Sequence, residues 1–303
     1  MARYLFLWVV VRVAGRLPLA VLDPMAILGG AAAWWLSRHV REVTRDHMRH
    51  ALGATASHTA IDRAARECIR SVARAYVEFA QLPYLTPEAV RARIVETDGM
   101  EALTEANNEG RGVVLISAHL GAPEMISRSA PTFGIDLACV SEPLHPQRVH
   151  DLVHGVRTTP GVQYFPATLA GLRDSRAHVA AGKVLGVLID RDVLGTGRPF
   201  VFFGERALMP TGAVEIVQRT GAAVVTVWCY RIGAGRYRLV GRRIDLPPAT
   251  GNREADVAAG MRIALAALED AIRAAPGQWL PLSPVWRGLV TPPRETTPAT
   301  PVQ

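Results

Sequence analysis

Gly112-Val113-Val114-Leu115-Ile116-Ser117-Ala118-His119-Leu120-Gly121-Ala122-Pro123-Glu124 is the stretch that decides the fold class of this 303-residue chain. Val113 to Ile116 form a short apolar, β-branched run, the mark of a buried strand rather than a core helix. His119 leaves the end of that strand, Gly121 lets the chain turn, and Pro123 opens a helix at a position where its missing N–H costs nothing. A buried strand feeding a helix through a short polar loop is the unit from which parallel sheets are built.

Working outward, the same alternation recurs. Runs at Ile94–Thr97, Asp136–Val140, Val162–Phe165, Val184–Ile189, Phe200–Phe203, Ala223–Tyr230 and Tyr237–Val240 read as further strands. Helical patterns occupy 100–109, 123–132, 146–157, 169–181 and 212–220, and Gly110 suits the C-cap of the first. Ahead of them, Ile61, Ala65, Cys68, Val72, Tyr76 and Phe79 keep helical spacing over 59–81, and Thr86-Pro87-Glu88 is a helix start. An Ala-rich amphipathic helix spans about 254–274. The expected fold is α/β: a mostly parallel central sheet flanked by helices, with an N-terminal amphipathic helical extension. Residues 1–58 read as a membrane-associating helical region, 59–290 as the α/β domain and 291–303, rich in Pro and Thr, as a disordered tail.

Composition narrows the class. The chain is 49% hydrophobic and 20% charged, with mean hydropathy +0.14, greasy for a cytosolic enzyme but far from a multi-spanning membrane protein. Its net charge is +7, and Lys183 is its only lysine. A basic surface favours anionic headgroups or phosphorylated substrates. The arginines are spread along the chain and no nucleic-acid motif accompanies them, so no nucleic-acid partner is expected. Cys68, Cys139 and Cys229 form no pair or framework and read as small buried residues.

At the N-terminus, Tyr4–Val11, Leu17–Leu22 and Pro24–Leu36 are apolar but individually short of the roughly 20 residues that span a bilayer. Arg3 and the first run imitate a signal peptide, but the apolar character continues past any cleavage point. Arg38, Arg41, Arg45 and Arg49 then share a helical face beside Trp34 and Trp35, a pattern suited to a membrane interface. A helical cap with solvated arginines is the alternative.

Two polar clusters follow apolar strands, where open α/β sheets collect function. One contains His119 and Glu124; the other is Asp190-Arg191-Asp192. With Glu124 in the first helical turn, its carboxylate is expected to reach back to the imidazole and steady it as a general base. His119-x-x-x-x-Glu124 resembles the catalytic motif of glycerolipid and lipid A acyltransferases. Ser141-Glu142-Pro143, Arg157, Phe202-Phe203-Gly204-Glu205, Met209-Pro210-Thr211-Gly212 and Gln278-Trp279-Leu280 resemble further blocks of the lipid A lauroyl/myristoyl acyltransferase family, in the family's order.

Within that family, Asp190-Arg191-Asp192 and the Phe-Phe-Gly-Glu block look most like the branch that acylates phosphatidylinositol mannosides. The resemblance implies a peripheral enzyme at the cytoplasmic face of the cell membrane. It implies acyl-CoA as co-substrate, no cofactor or metal, and a glycolipid or phospholipid acceptor. It also implies that Glu142 and Arg157 form a buried pair lining the site, and that Asp190 or Asp192 supports His119 or the acceptor. Ala122-Pro123 stands where family members often carry Asn-Trp, which leaves lipid A-type and lysophospholipid acceptors open. Two other readings compete. His150-Asp151-Leu152-Val153-His154 nearly matches the H-E-x-x-H pattern of a metal hydrolase, and the arginines alone would suit a non-catalytic membrane-surface protein. Gly195-Thr196-Gly197, without a Walker lysine, is no nucleotide motif.

Overall fold

A computed structural model of the chain describes residues 2–286. The expected tail, and residues 287–290 of the expected α/β domain, lie outside the described residues. Nine strands are present among them: β1 (Ile94–Asp98), β2 (Val113–Ser117), β3 (Leu137–Ser141), β4 (Val162–Pro166), β5 (Val184–Leu188), β6 (Arg198–Phe202), β7 (Glu205–Met209), β8 (Ala223–Gly233) and β9 (Arg236–Arg243). Seven form one sheet in the order β1-β9-β8-β2-β5-β3-β4, parallel everywhere except at the β8–β9 hairpin. The α/β expectation is therefore met, with β2 and β5 side by side at the centre.

Eleven α-helices accompany the sheet among the described residues: α1 (Ala2–Arg12), α2 (Leu19–Leu36), α3 (Arg38–Leu52), α4 (His58–Gln81), α5 (Pro87–Arg93), α6 (Glu101–Asn108), α7 (Pro123–Ser129), α8 (Gln147–Arg157), α9 (Leu169–Ala180), α10 (Gly212–Thr220) and α11 (Arg253–Ala274). Because successive strand residues point to opposite faces, β2 feeds two cores. Val113 and Leu115 pack with Leu103 of α6, Met125 of α7 and Val156 of α8. Val114 and Ile116 pack with Val179 of α9, Val214 of α10 and Leu265 of α11. Burial on both faces is what makes the run continuously apolar.

One strand escapes the sequence reading. Phe200–Phe203 is expected as a single strand, yet β6 and β7 form an antiparallel hairpin turning on Phe203 and Gly204, both with positive φ. Two such residues between strands are the signature of a tight hairpin turn. Ala207 and Met209 of β7 enter the core.

The N-terminal expectation needs one correction. Leu17–Leu22 and Pro24–Leu36 are not separate stretches. Helix continues through Asp23 and Pro24, so α2 is 18 residues long with a mean hydropathy of 1.5. By length and composition it is long enough to cross a membrane. Leu22, Ala26, Gly30 and Trp34 are buried at four-residue spacing, and Gly30 lies so close to Arg70 of α4 that a Cβ would stand 2.8 Å from its Cα. Asp23, which breaks the apolar run in sequence, is held by a two-pronged bond to Arg74 of α4. Val21, Met25, Leu28, Trp35 and Leu36 remain exposed.

The arginine row of α3 is also committed within the chain. Arg41 donates to the Trp34 and Trp35 carbonyls, Arg45 clamps Asp62, and Arg38 and Arg49 pair with Glu42 and Asp46. Arg41 and Arg45 thereby fasten α3 to α2 and α4, while Arg38 and Arg49 pair within α3 and stay largely exposed.

Candidate active site

The central strands set the site by register. β2 and β5 are parallel, with Ser117 opposite Leu188. His119 and Asp190 each lie two residues beyond that pair, so they emerge side by side at the carboxyl edge of the sheet. His119 Nδ1 lies 2.9 Å from Asp190 Oδ1, and the His119 backbone N–H donates to Oδ2 at 3.2 Å. Asp190 is fully buried, whereas the imidazole is about one-third exposed. Burial works against the Asp190 charge. The His119 imidazole and the N–H donors outweigh it and hold the carboxyl below the ordinary carboxylate range. A carboxylate can only accept, so Nδ1 carries the proton and Nε2 is left as the basic nitrogen.

The loop behind His119 is equally constrained. Gly121 has φ +64, and a Cβ there would fall 2.0 Å from the Cys229 carbonyl oxygen of β8, so only glycine fits. Its N–H donates to the Gln278 carbonyl, and its own carbonyl accepts from Arg231 of β8. Arg231 is locked to Glu78 of α4 by two 2.6 Å bonds, with both side chains almost wholly buried.

In front of His119 opens a cavity of about 520 Å³, within the roughly 300–1,000 Å³ of small-molecule sites. Leu115, Leu137 and Cys139 on the sheet and Ile126 on α7 give it apolar walls. His119, Glu124, Glu142, Arg157, Arg191 and Asp192 bring polar groups to it. Burial pushes the Cys139 thiol up to about 12, so it stands in the wall as a neutral group.

The polar pairs differ from those expected. Glu124 makes no bond to the imidazole. It receives Arg157 Nε at 3.0 Å, and a second nitrogen of the same guanidinium. The reason is geometric: α7 carries Glu124 away from the strand end and towards the C-terminus of α8, where Arg157 waits. Arg157 also donates to Ser141 at 3.1 Å. The expected Glu142–Arg157 pair is not formed; Glu142 pairs with Arg191 at 2.9 Å. Arg191 Nε is buried without a partner among the described residues. Of the two aspartates, Asp190 meets His119, while Asp192 accepts the Gly197 N–H within its own loop.

Trp279, noted in the sequence only as part of a C-terminal block, donates its indole N–H to Asp190 Oδ2 at 3.0 Å. No spacing rule reveals a contact across 89 residues. His150 and His154 lie side by side on α8 with tilted rings, their centroids 4.1 Å apart, and Asp151 is bonded to Gln147. Among the described residues, no three His, Cys, Asp or Glu side chains are grouped so as to hold a metal ion.

The sequence model described as "Bacterial lipid A biosynthesis acyltransferase" matches residues 1–288. The chain is similar to a phosphatidylinositol mannoside acyltransferase of Mycobacterium tuberculosis (strain ATCC 25618 / H37Rv). That relative is 25% identical over 224 residues, covering 72% of this chain and 68% of its own. It is also similar to the protein of the same name from Mycolicibacterium smegmatis (strain ATCC 700084 / mc(2)155). There the identity is 24% over 299 residues, covering 90% of this chain and 94% of the relative.

Proposed function

The chain belongs to the bacterial lipid A biosynthesis acyltransferase family, and on that premise we propose that it moves a fatty acyl group, palmitoyl in kind, from acyl-CoA to a mannose hydroxyl of a phosphatidylinositol mannoside. The observation that carries this reading is the His119–Asp190 pair at the edge of a largely apolar cavity. The names of the mycobacterial relatives support the mannoside as acceptor.

In this reading Nε2 of His119 takes the proton of the acceptor hydroxyl as its oxygen attacks the thioester carbonyl. Asp190 keeps the imidazole in the required tautomer and steadies the imidazolium. Arg191, at the cavity wall, is assigned to the carbonyl oxygen as it becomes negative. Collapse of the tetrahedral species breaks the C–S bond, and the departing CoA thiolate recovers the proton from His119. Glu124 holds Arg157 against the wall instead of acting on the imidazole, and Glu142 and Asp192 border the acceptor. The exposed apolar side of α2, with Trp35 and Leu36, is assigned to the membrane at its cytoplasmic face.

The test is transfer from radiolabelled palmitoyl-CoA to phosphatidylinositol mono- and dimannosides, beside lysophospholipid and lipid A precursors, with His119→Ala as control. Label moving to the mannosides and lost in the variant is the expected result. Transfer to another acceptor would retain the chemistry and discard the mannoside. Absence of His119-dependent transfer to any of them would end the reading.

A further inference from the structure

We propose that Trp279 is a positioning residue for the transfer reaction, its indole N–H holding in place the Asp190 carboxylate that orients His119. This rests on the reading of His119 as the base and assigns a role to a residue that never touches substrate.

Three N–H donors meet the Asp190 carboxylate. His119 supplies two of them, Nδ1 to Oδ1 at 2.9 Å and the backbone N–H to Oδ2 at 3.2 Å. The third, Trp279 Nε1 to Oδ2 at 3.0 Å, comes from a different part of the chain. It is therefore the contact that references the carboxylate to the body of the protein and not to the group it serves. Asp190 and Trp279 are both fully buried, so no water replaces a lost donor, and a charge left short of a bond in such a place is costly.

The indole is itself fixed. It packs between the His47 ring, 4.9 Å away, and Phe202, 5.9 Å away. Its backbone runs antiparallel beside the loop it serves: Leu120 bridges to Trp279, Gly121 N–H donates to the Gln278 carbonyl, and Leu280 N–H donates to the His119 carbonyl at 2.7 Å. Cys68 donates its thiol proton to the Trp279 carbonyl. One short segment thus sets the backbone of the base and, through one side chain, the angle of the carboxylate. A tryptophan serving only to fill space would have no need to aim its N–H at that oxygen.

The experiment compares Trp279→Phe, and replacement of Trp279 by the sulfur isostere benzothienylalanine, with the wild type and with Asp190→Asn. The isostere keeps the ring volume and removes only the N–H, so it reports even where phenylalanine leaves too large a gap to fold. The expected result is a fall in kcat of roughly 10- to 100-fold, as loss of a hydrogen bond to a charged group implies. KM should stay nearly unchanged, and the acid limb of the pH–rate profile should move to higher pH as the carboxylate loses a competing donor. In the Asp190→Asn background the same replacement should cost little more, because its effect runs through that carboxylate. An isostere variant with wild-type kcat and pH profile would overturn the proposal, as would a full additional loss on top of Asp190→Asn. If His119→Ala and Asp190→Asn both retain wild-type turnover, the base itself has been misassigned.

Discussion

The two sides of His119 are built differently. Behind it, the charged groups are buried and bonded: Asp190 under Trp279, and the Glu78–Arg231 pair beneath Gly121. In front, the Glu124–Arg157 and Glu142–Arg191 pairs line a cavity and keep between about a quarter and two-fifths of their side chains exposed. The rear is a rigid support in which each lost bond leaves an orphaned charge. The front is a wetter wall whose charges are screened and free to adjust around a substrate. This difference divides stability and orientation from recognition within one site.

The largest expected effect lies at the His119–Asp190 pair. His119→Ala and Asp190→Asn are each expected to lower kcat by about 10² to 10⁴, with the fold intact by circular dichroism. A folded Asp190→Asn protein with full turnover would remove the rear support from the mechanism.

Next in size is the buried ion pair. Glu78→Ala strands Arg231 and should destabilise the protein by about 3–5 kcal/mol in urea unfolding. A value under 1 kcal/mol would mean that the pair is no more important than a surface one.

His47, packed against Trp279, sharpens the contrast by pH. Burial holds its pKa at about 4, down from 6.5. The unfolded chain therefore binds a proton below about pH 6.5 that the native state takes up only near pH 4. The stability it contributes is complete above pH 6.5 and falls as the pH drops towards 4, by at most about 3 kcal/mol. Urea midpoints measured across that window should slope in the wild type, and His47→Phe should flatten them.

At the front the effects shrink. Glu124→Gln is expected to lower activity by roughly tenfold while leaving the acid limb of the pH profile in place, since its carboxylate does not touch the imidazole. A shifted limb would restore Glu124 as the imidazole's partner. Glu142→Gln, at the most exposed pair, should change stability by less than about 1 kcal/mol.

Much of this molecule is legible in its sequence. Val113–Ser117 and Val184–Leu188 stand within a residue of where apolar runs end, because strands buried on both faces are bounded by the first polar residue. Thr86 caps α5 as its Thr-Pro-Glu spacing predicts. The acid paired with His119 is a different matter. The nearest acid in sequence, Glu124, belongs to Arg157, and the true neighbour comes from a strand about 70 residues away. Strand order is a property of the folded sheet, and no local pattern reports that β5 lies against β2. The same holds for α2: Asp23 reads as a break until Arg74 is seen across from it.

By itself, then, the sequence determined most of the elements, their α/β alternation and the polar clusters at the strand ends, since periodicity and breakers act over a few residues. Only the tertiary structure decided which carboxylate holds His119, which arginine each acid meets and that Trp279 stands behind them. Those contacts depend on register between distant strands and on where helix ends arrive, and burial then selects the partners, because a charge out of water must find its opposite nearby.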